Sequence, residues 1–224
     1  MKVAVLVFPG TTGDADLIHA LQAVPDCEVE RVWHDTKSLA GFDLIALPGG
    51  FSYGDYIRPG AVAALSACIP ALKDAAADSV SILGIGNGFQ ILTEIGLLPG
   101  AFLRNQQMEF ICDTVQVTVT NNTTRFTSEY EQNETVTLPI AHHTGNYYAD
   151  EATLQQLRAQ NRIVFTYQDN PNGSAADIAG ILNEGGNVLG MMPHPERAVE
   201  PLLGSEDGLR LFQSILNTWR EGQC

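Results

Sequence analysis

The first 95 residues alternate short apolar runs with stretches of helical periodicity. Apolar residues dominate segments 2–8, 43–47 and 80–85, and segment 28–33 alternates in the manner of a strand. Three helices are predicted between and after these runs: one capped by Asp14 with Leu17, Ile18, Leu21 and Val24 on one face, an Ala-rich stretch at 61–77 interrupted at Pro70, and one at 89–95. Strands that alternate with helices predict a parallel sheet covered on both faces.

The second half of the chain is richer in strand patterns. We expect strands at 109–120, 136–142, 163–168, 177–183 and 188–192, with turns at 170–173 and 184–187. Leu209, Phe212, Leu216 and Trp219 repeat at helical spacing and predict a closing helix. Without repeats or a linker, the prediction is an α/β fold with a mixed, mostly parallel sheet, formed by residues 1–224 as a single domain.

Charge and cysteine content narrow the class of protein. The chain has 26 acidic and 12 basic residues and a formal charge of −14, which opposes binding to nucleic acid or an anionic membrane and favours a basic partner surface. No apolar run is long enough to span a membrane, and the first ten residues are too short for a signal peptide, so we expect a cytoplasmic protein. Cys27, Cys68, Cys112 and Cys224 are scattered, which favours reduced, structural thiols.

Segment 81–90 has the layout of a nucleophile elbow. A buried strand runs into a sharp turn and then a helix, and Gly84 and Gly88 flank the turn because larger residues would clash where the helix crosses the strand. Asn87 offers its backbone N–H at the start of the helix. The central residue, however, is Gly86, which has no side chain with which to attack a substrate. A plain glycine turn and an anion-binding loop are the alternatives.

Two further segments follow predicted strands and carry groups suited to catalysis. Segment 48–55 reads PGGFSYGD, and its glycines allow backbone N–H groups to face a cleft as an oxyanion hole requires, although a simple glycine turn has the same composition. In segment 191–197, His194 and Glu196 are two residues apart, so in extended backbone both side chains face the same side. A carboxylate at Glu196 can hold the imidazole of His194 in one tautomer. This is how a catalytic base and its orienting group are arranged in nucleophilic catalysis.

Together these segments resemble the class I glutamine amidotransferases, and within them the glutaminase subunits of phosphoribosylformylglycinamidine synthases of purine biosynthesis. The resemblance covers almost the whole chain. It includes FPG at 8–10, WHD at 33–35, PGGFSYGDYIR at 48–58, NGFQILTE at 87–94, GNYYAD at 145–150, NPNGS at 170–174 and GMMPHPERA at 190–198. The resemblance implies the flavodoxin-like class I glutaminase fold and a Cys-His-Glu triad that needs no cofactor.

The resemblance also implies a role for each matching position. In the family a cysteine at the elbow attacks the side-chain amide of glutamine, and the ammonia released passes to the synthase subunit of the same complex. Carried onto this chain, the implied roles are nucleophile position for Gly86, oxyanion hole for Gly50 and Asn87, glutamine binding for Gln90, base for His194 and orienting group for Glu196.

The chain departs from the family pattern at three places. Gly86 replaces the nucleophile, Thr11-Thr12-Gly13 stands where the family has Ser-Asn-Cys, and His143-Thr144 stands where the family has Gly-Glu. We expect the altered residues Gly13, His143 and Thr144 to converge with Gly86 on one pocket and to put glutamine binding in question. Neither Cys68, Cys112 nor Ser52 occupies the elbow, so replacement of the nucleophile by one of them is disfavoured. His142, His143 and His194 lack further ligand spacing, so no metal site is predicted.

The sequence therefore predicts a glutaminase-subunit-like protein that is catalytically impaired as written. The loss of a nucleophile typically lowers the rate by about 10⁴ to 10⁶. Such a chain is an engineered inactive variant, a paralogue retained for docking to the synthase, or a sequence in which a modified cysteine is written as glycine. The rivals are an active glutaminase and a non-catalytic scaffold.

Overall fold

The computed structural model describes residues 1–222, so Cys224 lies outside the described residues. In this range the chain forms eleven strands and five α-helices. The strands are β1 Lys2–Val7, β2 Glu28–Trp33, β3 Leu44–Leu47, β4 Ser81–Ile85, β5 Ala101–Leu103, β6 Ile111–Val119, β7 Thr135–His142, β8 Asn146–Tyr148, β9 Ile163–Tyr167, β10 Ile178–Leu182 and β11 Val188–Met191. The helices are α1 Asp14–Gln22, α2 Ile69–Ala77, α3 Asn87–Glu94, α4 Glu151–Ala159 and α5 Leu209–Glu221.

Nine strands form one mixed sheet in the order β2-β1-β3-β4-β11-β10-β9-β6-β7. The five strands from β2 to β11 pair in parallel, and the remaining pairings are antiparallel. A separate two-stranded ribbon joins β5 to β8. The predicted mixed α/β architecture is therefore confirmed.

The core lies on both faces of the sheet because successive side chains of a strand point in opposite directions. In β1, Val3 and Val5 pack into a cluster that includes Leu17 of α1 and Phe212 of α5. Ala4 and its neighbours on the other face pack with residues of α2 and α3. Burial on both sides explains why the parallel strands read as continuous apolar runs.

The structure corrects several local predictions. The N-cap of α1 is Gly13 and not Asp14, so no side chain caps this helix. Asp14 is the first helical residue, and its Oδ2 lies 3.0 Å from Nη2 of Arg31. The Ala-rich stretch is a short 3₁₀ turn followed by α2, because Pro70 lies in the first turn of α2, where its missing N–H leaves no intrahelical bond unmade. The sequence analysis did not predict α4, β5 or β8.

The parallel part of the sheet brings four loops to one edge. The segments that follow β1, β3, β4 and β11 contain Gly13, Gly50, Gly86 and His194, respectively. The carboxyl edge of parallel strands is the usual place for ligands in open α/β sheets. Among residues 1–222, no helix is both long and apolar enough to cross a bilayer.

Candidate active site

The elbow after β4 has the backbone geometry of a nucleophile turn. Gly86 adopts φ +54° and ψ −109°, a conformation that side-chain-bearing residues rarely adopt. Its N–H donates to the carbonyl of Met191 in β11, and its carbonyl accepts from the N–H of Gln90 in α3. A Cβ on Gly84 would approach Leu92 Cδ1 to 2.5 Å, and one on Gly88 would collide with the carbonyl of Leu47. The flanking glycines are thus required by close packing of α3 on the sheet.

Gly50 and Asn87 carry backbone N–H groups and line the cavity beside the elbow. The carbonyl of Gly49 accepts bonds from the N–H groups of Thr12 at 3.1 Å and Gly13 at 3.0 Å. Because the peptide is trans, the N–H of Gly50 points away from these donors, and Gly50 lines the cavity beside the elbow. Asn87, the first residue of α3, lines the same cavity, and its N–H has no intrahelical acceptor.

His194 and Glu196 form a buried pair. Nδ1 of His194 lies 2.7 Å from Oε1 of Glu196, and the two residues are 4% and 1% exposed. An ionised carboxylate only accepts hydrogen bonds, so Nδ1 carries the proton and Nε2 is left as an acceptor. The pair does not form in the extended backbone expected from the sequence. A 3₁₀ turn at Pro195–Arg197 brings the two side chains together instead.

Position 86 faces the free nitrogen of His194. An ideal Cβ built on Gly86 would lie 3.4 Å from Nε2 and 3.2 Å from Cε1 of His194. A Cβ on Gly49 would approach Cε1 of His194 to 2.6 Å, so glycine at 49 is needed to seat the imidazole. The structure therefore brings the His194–Glu196 pair, Gly50 and Asn87 around position 86, which has no side chain.

Gln90 is already engaged by protein groups. Its Oε1 accepts from Nδ2 of Asn87 at 2.9 Å, and its Nε2 donates to the carbonyl of Thr144 at 2.7 Å. The side chain of Asn87 also accepts from the N–H of Ser52 at 3.0 Å, which ties α3 to the loop after β3. Of the two N–H groups of the Gln90 amide, one is thus used by the carbonyl of Thr144 and one is left for a ligand.

The cavity between these groups is small. Its free volume is about 20 Å³, the space of a single water molecule. His143 and Thr144 line it together with Phe51, Asp55 and Met192 among others. Of the altered positions, His143 and Thr144 thus border the same space as Gly86. In this conformation the cavity is too small for a glutamine side chain.

Gly13 lies behind the cavity and does not line it. A Cβ on Gly13 would meet the backbone of Gly49 at 3.3 to 3.4 Å and Oε1 of Glu196 at 3.6 Å. The second carboxylate oxygen of Glu196, Oε2, is buried and has no hydrogen-bond partner among residues 1–222. Position 13 therefore touches the pocket only through the Gly49 turn and the orienting carboxylate.

His142 belongs to an asparagine network that the sequence analysis missed. Its Nδ1 lies 3.0 Å from Oδ1 of Asn105, whose own Nδ2 donates to two backbone carbonyls, so Nδ1 is the donor. On the other side, Nδ2 of Asn172 lies 3.4 Å from Nε2 and faces it as a donor. Burial, together with repulsion from His194 whenever that imidazole is protonated, lowers the pKa of His142 to about 4. His142 is therefore neutral at pH 7. In the sequence, Asn172 was marked only by its place in the NPNGS motif at 170–174.

Asp55 is a second titratable group beside the cavity. Its backbone has φ +55°, and its Oδ1 is buried with no hydrogen-bond partner in the described part of the chain. Burial raises the pKa of Asp55 to about 6, against the opposing effect of His143. Asp55 belongs to the PGGFSYGDYIR motif at 48–58, which identified the loop but did not reveal that Asp55 lines the cavity.

The replacement nucleophiles considered from the sequence lie elsewhere. Cys68 is fully buried, and burial raises the pKa of its thiol to about 11, which suppresses the reactive thiolate. Cys112 is exposed in β6, and Ser52 has its backbone N–H bonded to Asn87. None of the three lines the cavity at Gly86. Within residues 1–222 no group of three or more His, Cys, Asp or Glu side chains is arranged to hold a metal ion.

The fold and the site define a glutamine amidotransferase domain, and the chain belongs to that family. The sequence profile of the CobB/CobQ-like glutamine amidotransferase domain matches residues 1–215. Among solved structures, the chain is similar to PurLQS from Thermotoga maritima, with 48% sequence identity and a TM-score of 0.90 over 97% of this chain and 98% of that chain.

More distant structures share the fold alone. The glutaminase domain of CTPS from Trypanosoma brucei with bound acivicin is 15% identical, with a TM-score of 0.63 over 97% of this chain and 94% of that chain. A glutamine amidotransferase from Thermotoga maritima is 14% identical, with a TM-score of 0.56 over 99% of this chain and 83% of that chain. The glutaminase fold is therefore recognised across widely diverged sequences.

Proposed function

We propose that this protein is a glutaminase-subunit-like component of phosphoribosylformylglycinamidine synthase, and that it docks on the synthase subunit without hydrolysing glutamine by the thioester route. The observation that carries the proposal is Gly86, which occupies the nucleophile position beside an otherwise assembled His194–Glu196 pair. The similarity to PurLQS over nearly the whole chain supports the choice of synthase. The nine-stranded sheet, to which strands from both halves of the chain contribute, supports a single domain.

The proposed impairment has two physical causes. No thioester forms at a residue without a side chain, and the remaining groups give only the residual catalysis expected of an oxyanion hole and binding. Glutamine binding is also weakened, because His143 and Thr144 line a cavity of only about 20 Å³. The proposed role therefore rests on docking rather than on turnover.

An apolar rim around the cavity supports docking. Phe51 lines the cavity, and its ring lies 6.4 Å from that of Phe110. The loop that begins at Asn105 is joined to His143 by a backbone bond, and it contains Met108 and Phe110. Phe51, Met108 and Phe110 are 43%, 60% and 50% exposed, and Tyr56, next to Asp55, is 75% exposed. Exposed aromatic residues and methionine are typical of protein interfaces.

Glutamate and ammonia release, measured with and without the synthase subunit of the same organism, tests the proposed impairment. We expect no glutamine turnover by a covalent route in either case, and intact mass should show glycine at position 86. Full glutaminase activity, a mass that corresponds to cysteine, or a trapped glutamyl thioester would establish the rival, an active glutaminase.

Co-purification with the synthase subunit tests docking. We expect the wild-type chain to bind while calorimetry shows no glutamine binding to it. Tyr56→Glu places a charge in the apolar rim and should weaken the complex. Leu202→Glu is the matched control, because Leu202 is 90% exposed and does not line the cavity. Equal binding of both variants would contradict docking through the rim, and no binding of the wild-type chain would contradict the proposed partner.

A further inference from the structure

A second cavity lies at the opposite ends of helix α3 and strand β11 from the elbow. It is lined by the end of α3 and the loop that follows, by helix α4, and by the turn between β10 and β11. Its free volume is about 570 Å³, which falls in the range of about 300 to 1,000 Å³ that is usual for small-molecule sites. It shares no lining residue with the cavity beside Gly86. The second cavity is therefore a separate space with room for a small molecule.

Arg162 is the basic residue of this lining, and it is almost completely buried. The residue is 8% exposed, and burial lowers the pKa of its guanidinium. Its Nε donates to the carbonyl of Leu182 at 2.9 Å and its Nη1 donates to Oε1 of Gln160 at 3.1 Å, whereas Nη2 has no hydrogen-bond partner within residues 1–222. A buried charge is costly unless it is paired. The N–H groups of Nη2 are therefore left for an anionic group of a ligand.

Glu184 is the acidic residue of the same lining. Its Oε1 lies 3.7 Å from Nη1 of Arg162, and its side chain is 77% exposed. The distance is too long for a hydrogen bond, and an ion pair with so exposed a carboxylate contributes little, so Glu184 does not neutralise Arg162 fully. The cavity thus offers a positive and a negative group close together. A ligand with only an anionic group would be repelled by Glu184, whereas a ligand with both charges meets an opposite charge at each.

We propose that this cavity binds a free α-amino acid with an apolar side chain, whose carboxylate pairs with Arg162 and whose ammonium group pairs with Glu184. A free α-amino acid carries both charges on one carbon atom, which suits two protein groups that lie 3.7 Å apart. The planar guanidinium is well matched to a carboxylate. The apolar part of the ligand is matched by an apolar part of the lining, which consists of Leu97, Leu98, Pro99 and Leu157. This inference goes beyond the docking function and does not depend on the residue at position 86.

Near-isosteric probes test each part of the ligand on the wild-type protein. L-leucine is the reference probe, 4-methylpentanoate lacks its ammonium group, L-leucinamide lacks its carboxylate, and L-asparagine has a polar side chain of similar shape. Calorimetry should show leucine binding, with each of the other three bound at least about tenfold more weakly, since hydrogen bonds to charged groups are among the strong ones and burial of a polar amide among apolar groups is costly. An analogue bound as tightly as leucine, or no binding of leucine, would overturn the proposal.

Two variants test the assigned partners. Arg162→Gln and Glu184→Gln should each weaken leucine binding by at least about tenfold, whereas Glu184→Gln should not weaken 4-methylpentanoate, because that probe has no ammonium group to lose. Arg158→Gln and Glu151→Gln are matched controls, since Nη1 of Arg158 also lies 3.7 Å from Oε1 of Glu151 and neither residue lines the cavity. Circular dichroism establishes that the variants are folded. The same leucine affinity in Arg162→Gln and Arg158→Gln would overturn the proposal.

The place of binding can be tested without a variant. In nitrogen–proton correlation spectra of the wild-type protein, leucine should shift the backbone amide signals of Gly96, Gly100 and Gly185, which line the second cavity. The signals of Gly50 and Gly86, which line the first cavity, should stay unchanged. Shifts confined to Gly50 and Gly86 would place leucine at the elbow and overturn the proposal. Failure of leucine to bind would leave the docking function intact.

Discussion

His194 donates from Nδ1 to Oε1 of Glu196 over 2.7 Å, and this relationship fixes the tautomer of the imidazole within a pocket that has no nucleophile. The bond is buried, so its loss should be costly. Leaving a buried hydrogen-bonding group without its partner typically costs about 1 to 3 kcal/mol, and more when that group is charged.

We therefore expect His194→Ala to be strongly destabilised at pH 7, because the carboxylate of Glu196 is left buried without its donor. The double variant His194→Ala, Glu196→Ala should be less destabilised than the sum of the two single variants. Urea denaturation of all four proteins measures this coupling. Additive effects would show that the pair contributes no mutual stabilisation.

Restoring the family nucleophile should lower stability. Gly86→Cys forces a side chain into φ +54°, which costs about 1 to 3 kcal/mol, and its Cβ lies within 3.2 Å of His194. For a chain of this size, each kcal/mol shifts the melting temperature by about 2 to 4 °C. Glutaminase activity should remain incomplete, since His143 and Thr144 still line a cavity of only about 20 Å³. A Gly86→Cys variant that is both more stable and fully active would contradict this expectation.

His142 should make stability depend on pH. Its pKa falls from 6.5 to about 4 on folding, so between these values the unfolded chain binds more protons than the native chain. The free energy of unfolding therefore contains a contribution from neutral His142 that is complete above pH 6.5. This contribution, about 3 kcal/mol, is lost as the pH falls towards 4. Asp55, whose pKa is raised to about 6, opposes this loss over an overlapping range. Its partial exposure reduces the size of its contribution.

To isolate the contribution of His142, the free energy of unfolding is measured at pH 7 and at pH 4.5 in the wild type and in His142→Gln. We expect the difference between the two values to be smaller in His142→Gln. His19→Gln serves as the control, because His19 is exposed and outside the network. The same pH dependence in His142→Gln and wild type would show that another group dominates.

The cysteines should react according to their burial. Iodoacetamide should label exposed Cys112 in the native protein, whereas Cys68 should react only after denaturation, because burial raises its thiol pKa to about 11. Peptide mass spectrometry distinguishes the two sites. Fast labelling of native Cys68 would reopen the possibility of a replacement nucleophile.

The architecture was accessible from sequence because its parallel strands are continuous apolar runs and its turns are marked by glycine. Helix α4 was missed since only Leu154 and Leu157 of its nine residues are buried, which leaves a weak apolar pattern. In β5 and β8, three residues each are too few to show a period.

The motifs identified the positions of the site, whereas its contacts required three-dimensional structure. The sequence predicted that His194 and Glu196 lie together, but it did so from extended backbone, whereas a 3₁₀ turn at Pro195–Arg197 brings them together. The bond from Gln90 to the carbonyl of Thr144 joins residues 54 positions apart and depends on the direction of a backbone carbonyl, which no local pattern encodes. The neutral state of His142 likewise depends on Asn105 and Asn172, which reach it from separate loops.

The elbow at Gly86 is held by backbone bonds to Met191 and Gln90 and so needs no side chain of its own to keep its shape. This has a consequence for how the lineage can change. Two of the glycine codons, GGU and GGC, differ from the cysteine codons UGU and UGC in the first base alone. From either codon, a single point mutation would place a thiol beside the His194–Glu196 pair. Gly13→Cys needs the same kind of single base change, whereas His143→Gly and Thr144→Glu each need more than one. The two glycines are therefore the short evolutionary steps in this region, and positions 143 and 144 are the longer path.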